Sequence, residues 1–186
     1  MKRYECLEAM LPLVGAEDLV VTNLGGVRNE WHSLRPSEGT YNVFTLGLCS
    51  SVGLGLALAL PHRRVIVLDS DGSLLVNLPT LTTIANEAPG NLVHIVFDNE
   101  VYGSTGGQPS PSRETRLDRI ARSAGYRTAV AVTTTDEVAG ALRSADGAGG
   151  PHFILVKVTA AESPAPRIPH TPHAIRDWFR RETLGA

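Results

Sequence analysis

Val65-Ile66-Val67-Leu68-Asp69-Ser70-Asp71-Gly72-Ser73 decides the fold. Four β-branched or aliphatic residues in a row read as a strand buried on both faces. That is the pattern of a parallel sheet, not the alternation of a sheet with one wet face. The strand then stops at two aspartates and a glycine. The stretch after Ser73, Leu74–Glu87, is read as a helix. A strand running through a polar turn into a helix is half of a β-α-β unit.

Working outward, the same unit recurs. Strands are expected at Leu19–Thr22, Tyr41–Thr45, Arg64–Leu68, Leu92–Phe97, Thr128–Val132 and Phe153–Val158. Helices are expected between them. Tyr4–Leu13 sets Cys6, Leu7, Met10, Leu11 and Val14 on one face, and Leu48–Leu60 is small and apolar all round, so it reads as buried. Leu117–Ala124 has an apolar side, and Asp136–Ser144 follows threonines at 133–135 that can cap it. The fold expected is α/β: a Rossmann-like parallel sheet with helices on both faces and right-handed crossovers. Residues 1–186 are read as a single domain ending in a proline-rich tail from about 160 to 186. That tail carries Pro164, Pro166, Pro169 and Pro172, then a short amphipathic helix with Trp178 and Phe179. A second irregular stretch, Asp98 to Glu114, is rich in glycine and proline; long loops in a small domain often serve as lids or binding loops.

Composition narrows the function classes. With 186 residues, 42% of them hydrophobic, the chain can build a core without staples. The 17 basic and 19 acidic residues leave a net charge of −2, no footprint for nucleic acid and no polybasic signal for a membrane. Two cysteines cannot make a disulfide framework, a four-thiolate zinc site or an iron–sulfur site. The opening MKRYECLEAMLPLV mixes charge into its apolar positions, unlike a secretory signal, and Leu46 to Leu60 is too short to span a bilayer. A soluble, cytoplasmic protein is expected.

Ligands of open parallel sheets bind beyond the carboxyl ends of the strands. Three such ends are polar or glycine-rich: Thr22-Asn23-Leu24-Gly25-Gly26, Asp69 to Ser73, and Asp98 to Ser104. Free N–H groups at the start of a helix, with Gly72 allowing close approach and the Ser73 hydroxyl, suit a phosphate. Asp71 beside a phosphate is repulsive unless a cation lies between them. Mg²⁺ takes few protein oxygens and completes its octahedron with phosphate and water, and Asp71 with Asn99 from the next strand end meets that need.

These residues resemble a known family. Ser70-Asp71-Gly72-Ser73 with Asn99 is similar to the Gly-Asp-Gly…Asn signature of thiamine diphosphate enzymes. The run Asp98-Asn99-Glu100-Val101-Tyr102-Gly103-Ser104-Thr105-Gly106-Gly107-Gln108 narrows it to the small two-subunit 2-oxoacid decarboxylases, the sulfopyruvate decarboxylase β subunits and the matching half of the phosphonopyruvate decarboxylases. Leu46-Gly47, Cys49 to Ala59 and Val65 to Ile84 match as well, so the resemblance covers nearly the whole chain.

The resemblance implies roles. Asp71, the Asn99 side-chain oxygen and the Val101 carbonyl would hold Mg²⁺. Gly72 and Ser73 would bind the diphosphate, with Gly103 and Ser104 behind it and Gly25 and Asn23 on its other side. Leu46 would hold the cofactor in a V, and the Phe44 carbonyl and Leu46 N–H would meet the aminopyrimidine edge, with Gly47 in the same cofactor-binding stretch. The activity implied is decarboxylation of a small anionic 2-oxoacid, sulfopyruvate or phosphonopyruvate, to an aldehyde and CO₂. The family's catalytic glutamate belongs to a pyrimidine-binding domain, so a separate α subunit is implied, in a hetero-oligomer such as α2β2 or larger. One departure is Ser70 in place of the first glycine; at a positive φ a serine would be strained.

Other residues have plainer readings. His170 and His173 are expected to be solvated loop histidines, His94 and His152 packed or hydrogen-bonded in strands, and His32 outside the site. Cys49 reads as a buried, inert thiol. Gly53 and Gly55 read as close helix packing, since no dinucleotide fingerprint accompanies them. A strongly anionic substrate calls for guanidinium groups, but Arg28, Arg35 and Arg113 are read as surface charge. Two rival functions are the thiamine subunit of a 2-oxoacid:ferredoxin oxidoreductase and a catalytically inactive cofactor-binding subunit.

Overall fold

The sequence places its strands in alternation with helices, and the computed structural model, which describes residues 1–185, shows how they assemble. Ala186, the last residue of the expected domain and tail, lies outside the described residues. In chain order the elements are α1 (Arg3–Met10), β1 (Leu19–Thr22), α2 (Gly26–Leu34), β2 (Thr40–Asn42), α3 (Cys49–Ala59), β3 (Val65–Ser70), α4 (Asp71–Val76), α5 (Thr80–Glu87) and β4 (Leu92–Asp98). After them come β5 (Val101–Tyr102), β6 (Gln108–Pro109), α6 (Leu117–Ala124), β7 (Thr128–Val132), α7 (Thr135–Ala145), β8 (His152–Lys157) and α8 (Pro172–Leu184).

Six strands form one sheet in the order β2-β1-β3-β4-β8-β7, every neighbouring pair parallel. β5 and β6 pair antiparallel as a separate hairpin. Alternate side chains of each strand serve opposite faces. Leu19, Val21, Val65, Val67, Leu92, Val96, Phe153 and Leu155 pack with residues of α3, α5 and α6. Val20, Ile66, Leu68, Val93, Ile95, Phe97, Ile154 and Val156 pack with α1, α2 and α7. This is the expected doubly covered α/β sheet. α8 closes the β2 edge, with Phe179 against Tyr41 at 5.2 Å between ring centres. Among the described residues no helix is long and apolar enough to cross a membrane.

Several elements differ from the sequence expectation. β2 ends at Asn42, before the expected Thr45, because Leu46-Gly47 forms a turn with Gly47 at φ +85°. The expected Leu74–Glu87 helix is two helices. It begins earlier, at Asp71, because Ser70 caps it by accepting the Ser73 N–H at 3.4 Å; it breaks after Val76, before Pro79. Ser70 has φ −131°, so the serine carries no backbone strain. α3 is not buried all round: Leu58 is 48% exposed while Gly53 faces the sheet, where a Cβ would collide with Val67. Gly55, by contrast, meets nothing and has no packing role of that kind.

Candidate functional site

The strand order reverses between β1 and β3: the chain leaves β1 to reach β2 on one side, and β3 lies on the other. At such a switch point the connections diverge and leave a crevice at the carboxyl ends. A cleft of about 590 Å³ opens there. It is lined by the ends of β1 (Asn23, Gly25), β3 (Asp69 to Ser73) and β4 (Asn99, Val101), by Leu46, by Gly103 and Ser104 of the hairpin turn, and by Ala160 to Ser163. All the residues expected to face a cofactor therefore line one cleft except Phe44, which is exposed beside it, and Gly47, which is buried behind it.

Local sequence explains the placement. Gly25 has φ +114°, a conformation that L side chains rarely adopt, and it turns the chain from β1 into α2 with open space on its Cβ side. Gly72 lies under the Tyr102 ring, where a Cβ would approach it to 2.7 Å. Asn99 turns the end of β4 by accepting the Val101 N–H at 3.2 Å, and Glu100 takes the left-handed conformation at φ 61°. Asn23 Nδ2 reaches Ser70 Oγ at 2.7 Å and ties the ends of β1 and β3 together. The Ser73 hydroxyl accepts the Gly47 N–H at 3.2 Å and keeps its own proton to donate.

The electrostatics centre on two carboxylates. Asp71 is 1% exposed and Asp98 fully buried. Ser112 Oγ lies 3.0 Å from Asp71 Oδ2 and 2.7 Å from Asp98 Oδ1, so one hydroxyl bridges both. Lys157 Nζ meets Asp98 Oδ2 at 2.8 Å and also contacts Glu100. Burial raises the Asp71 carboxyl above its ordinary value, the hydroxyls of Ser110 and Ser112 oppose the rise, and the Asp98 charge adds to it. Lys157 neutralises one carboxylate, leaving Asp71 as a buried acid that a cation would stabilise.

These features fit a metal-bridged anion. Among the described residues no group of three or more His, Cys, Asp or Glu side chains could hold a metal. One carboxylate, one amide oxygen and one carbonyl is instead the sparse set that Mg²⁺ accepts when phosphate completes its shell. Asn23 Oδ1 is buried without a partner among the described residues. An amide's oxygen and nitrogen exchange places on a half-turn, so that position can present a donor to an anion.

In the sequence Asp98 stands at the head of the Asp98–Gln108 run with no role of its own, and Ser112 carries no signal of one. The Ser110-Pro111-Ser112 stretch signals a turn, but nothing local says that the turn reaches Asp71. The histidines sort differently from the site. His94 Nδ1 bonds the Tyr126 hydroxyl at 3.2 Å and His152 Nδ1 the Thr128 hydroxyl at 2.8 Å, as expected of packed strand residues. His32 lines a separate cavity of about 240 Å³ with Trp178 and His170. His170 is not simply solvated: its ring packs edge-on to Trp178 at 4.6 Å and to His32 at 5.5 Å. Of the arginines, Arg35 caps the carbonyls of Val14 and Gly15, and Arg113 is an exposed neighbour of Glu100.

The profile of the family described as "Thiamine pyrophosphate enzyme, C-terminal TPP binding domain" matches residues 29–156. The chain is 35% identical over 187 residues to sulfopyruvate decarboxylase subunit beta of Methanothermobacter thermautotrophicus, covering 100% of this chain and 97% of that one. It is 39% identical over 157 residues to phosphonopyruvate decarboxylase of Streptomyces viridochromogenes, covering 84% of this chain and 39% of that one. The chain thus spans less than half the length of these phosphonopyruvate decarboxylases, 39% and 45%. Among solved structures, benzoylformate decarboxylase from Polynucleobacter necessarius superposes with a TM-score of 0.77 at 20% identity, over 90% of this chain and 34% of that one, a likeness of fold.

Proposed function

The chain belongs to the thiamine pyrophosphate enzyme family, as its C-terminal TPP-binding domain, and on that premise we propose that it is the diphosphate-binding β subunit of a heteromeric 2-oxoacid decarboxylase. Its substrate is a small anionic 2-oxoacid, sulfopyruvate or phosphonopyruvate, and its products are the aldehyde and CO₂. The observation that carries this reading is the correspondence, end to end, with sulfopyruvate decarboxylase subunit beta.

Thiamine diphosphate, when bound, supplies the nucleophilic carbon and the electron sink that decarboxylation of a 2-oxoacid requires. In this reading Asp71, Asn99 and the Val101 carbonyl hold Mg²⁺ against the diphosphate. Gly72, Ser73, Gly103 and Ser104 bind the diphosphate from the β3 and hairpin side, and Asn23 and Gly25 from the β1 side. Leu46 would support the bound cofactor; it is 37% exposed and lines the cleft, which suits a side chain waiting for an apolar partner. The Phe44 carbonyl, the Leu46 N–H and Gly47 serve the pyrimidine edge. A partner α subunit supplies the glutamate on that side. Support for a partner comes from large exposed apolar side chains, Phe44, Leu46 and Leu48 about the Gly47 turn and Val76 at the end of α4 beside it.

The test is recovery of the tagged chain from its own cells with whatever copurifies, followed by CO₂ release with thiamine diphosphate and Mg²⁺. A second subunit and preferential release from sulfopyruvate or phosphonopyruvate over pyruvate is the expected result. A partner present with no release from any of the three refutes the activity; absence of any partner refutes the heteromer.

A further inference from the structure

The cations within this fold are mostly matched. Arg3 is paired with Glu30, Arg63 with Glu182, Arg64 with Asp18, and Lys157 with Asp98 and Glu100. Arg28 is the exception. Its Nε and Nη1 are shut off from solvent and have no hydrogen-bond partner among the described residues. Its guanidinium carbon lies 5.1 Å from the centre of the Phe44 ring, stacked over it. Shielded donors on a cation are costly to leave unpaired, and a stacking contact with one half-open ring does not replace the lost hydrogen bonds. Arg167 precedes Ile168, whose N–H donates to Asn29 Oδ1 at 3.3 Å, and so brings a second cation to the start of α2. Burial first, then the Arg167 charge, weakens the protonated form of Arg28. Neither arginine has an ion-pair partner among the described residues, so the pair is open to an anion.

The position of the pair says which anion. Arg28 sits in the first turn of α2, and Gly25, Gly26 and Val27 immediately before it line the cleft. Phe44 stands two residues before Leu46, which lines the same cleft. Arg28 and Phe44 do not themselves line the cleft; the guanidinium stands next to its α2 wall, on the same side as Gly25. We propose that Arg28, assisted by Arg167, is the subsite for the tetrahedral oxyanion of the substrate, the sulfonate or phosphonate group remote from the 2-oxo carbon. This assignment rests on the decarboxylase reading above. A guanidinium's planar fork of N–H donors matches such an oxyanion, and the Phe44 ring holds the fork in place. Selectivity follows directly. A 2-oxoacid without the second anionic group leaves the shielded donors unpaired, and a site built to hydrogen-bond a group discriminates strongly against ligands that lack it.

The test uses the assembled complex and the full chain. Arg28→Met keeps an apolar side chain of similar length beside Phe44 and removes the charge; Arg28→Lys keeps the charge and removes the fork. For Arg28→Met, KM for the anionic substrate is expected to rise, and its kcat/KM advantage over pyruvate to fall, by about ten- to a hundredfold, with Arg28→Lys between the two and Arg167→Met milder. A second readout needs no turnover. Calorimetric titration with sulfoacetate and with phosphonoacetate should show binding to the wild-type chain that Arg28→Met weakens by a similar factor, and the tighter of the two identifies the oxyanion. The ligand-free melting temperature of Arg28→Met should equal or exceed that of wild type, whereas loss of an arginine that merely held the fold together would lower it. If the wild-type complex decarboxylates no anionic 2-oxoacid, the functional reading fails while the titrations still decide the subsite. Unchanged KM and unchanged sulfoacetate and phosphonoacetate affinity in Arg28→Met overturn the subsite. So does loss of the partner subunit with unchanged affinity of the free chain, because the anion is then a partner carboxylate.

Discussion

The Ser112 hydroxyl reaches Asp71 Oδ2 at 3.0 Å from a loop far along the chain. The same oxygen is 2.7 Å from Asp98 Oδ1, so the serine fixes the spacing of two buried carboxylates. A hydroxyl has one proton and cannot donate to both at once. A cation on Asp71 would relieve that competition, leaving the proton to Asp98. Ser112→Ala should therefore weaken Mg²⁺ more than it weakens the fold. Outer partners of metal ligands typically carry about ten- to a hundredfold in affinity. Titrating Mg²⁺ against thiamine diphosphate binding in the complex measures it, and an unchanged Mg²⁺ midpoint would remove Ser112 from the site.

Leu46 offers a separation of binding from turnover. It is exposed in the cleft wall, so Leu46→Ala costs the fold little. If Leu46 supports the bent cofactor, truncation leaves the diphosphate contacts intact and misplaces the reacting end. Misplacement of about an ångström can cost about a hundredfold in rate. Calorimetric affinity near wild type with a much lower kcat is the expected pair of results. Wild-type kcat would assign the support to another residue.

How far such roles are legible in a sequence depends on how local their cause is. The sheet was legible because Val65 to Leu68 and the other central strands, β1, β4 and β8, are buried on both faces, and that burial writes itself into consecutive residues. Asp71 and Asn99 were legible for the same reason: each ends a recognisable strand. Phe44 and Thr45 have strand propensity but leave the ladder, because the Gly47 turn and not propensity ends β2. The start of α4 was misplaced because Ser70, not Ser73, caps it, a choice settled by the bond from Asn23 across to the neighbouring strand end. Ser112 was illegible, and Arg28 stood among the candidate guanidiniums with nothing local to set it apart from surface charge. One acts across the chain, and the other is defined by a carboxylate that is not there.

The Arg3–Glu30 pair tests how this fold tolerates a buried charge. Glu30 is 2% exposed and takes two bonds from Arg3, 2.7 and 2.8 Å, while the guanidinium lies against Gly26. Arg3→Met strands the carboxylate and should cost about 3–5 kcal/mol. Adding Glu30→Leu to it should recover most of that loss, since replacing both partners of a buried pair by apolar groups is often neutral. Urea unfolding of the single and double variants gives both numbers. A double variant no more stable than the single one would mean that Glu30 is wanted for more than its partner.

The two thiols should be silent in the folded chain. Cys6 and Cys49 are both fully buried. Burial pushes the Cys6 thiol up from 9.0 to about 11, and burial together with the Asp69 charge pushes Cys49 well above its ordinary value. Only the thiolate attacks a disulfide reagent, so neither residue should be modified at pH 8 until the chain opens. The linkage has a definite sign. Below about pH 9 the Cys6 thiol is neutral in folded and unfolded chains alike, and it leaves stability untouched. From there to about 11 the unfolded chain loses its proton first, so stability falls as pH rises through that window. Cys6→Ala would remove that part of the alkaline slope at the expense of a small cavity. Labelling kinetics with a chromogenic disulfide, with and without urea, decide the first point, and rapid modification of either thiol in the absence of urea would contradict the burial on which both expectations rest.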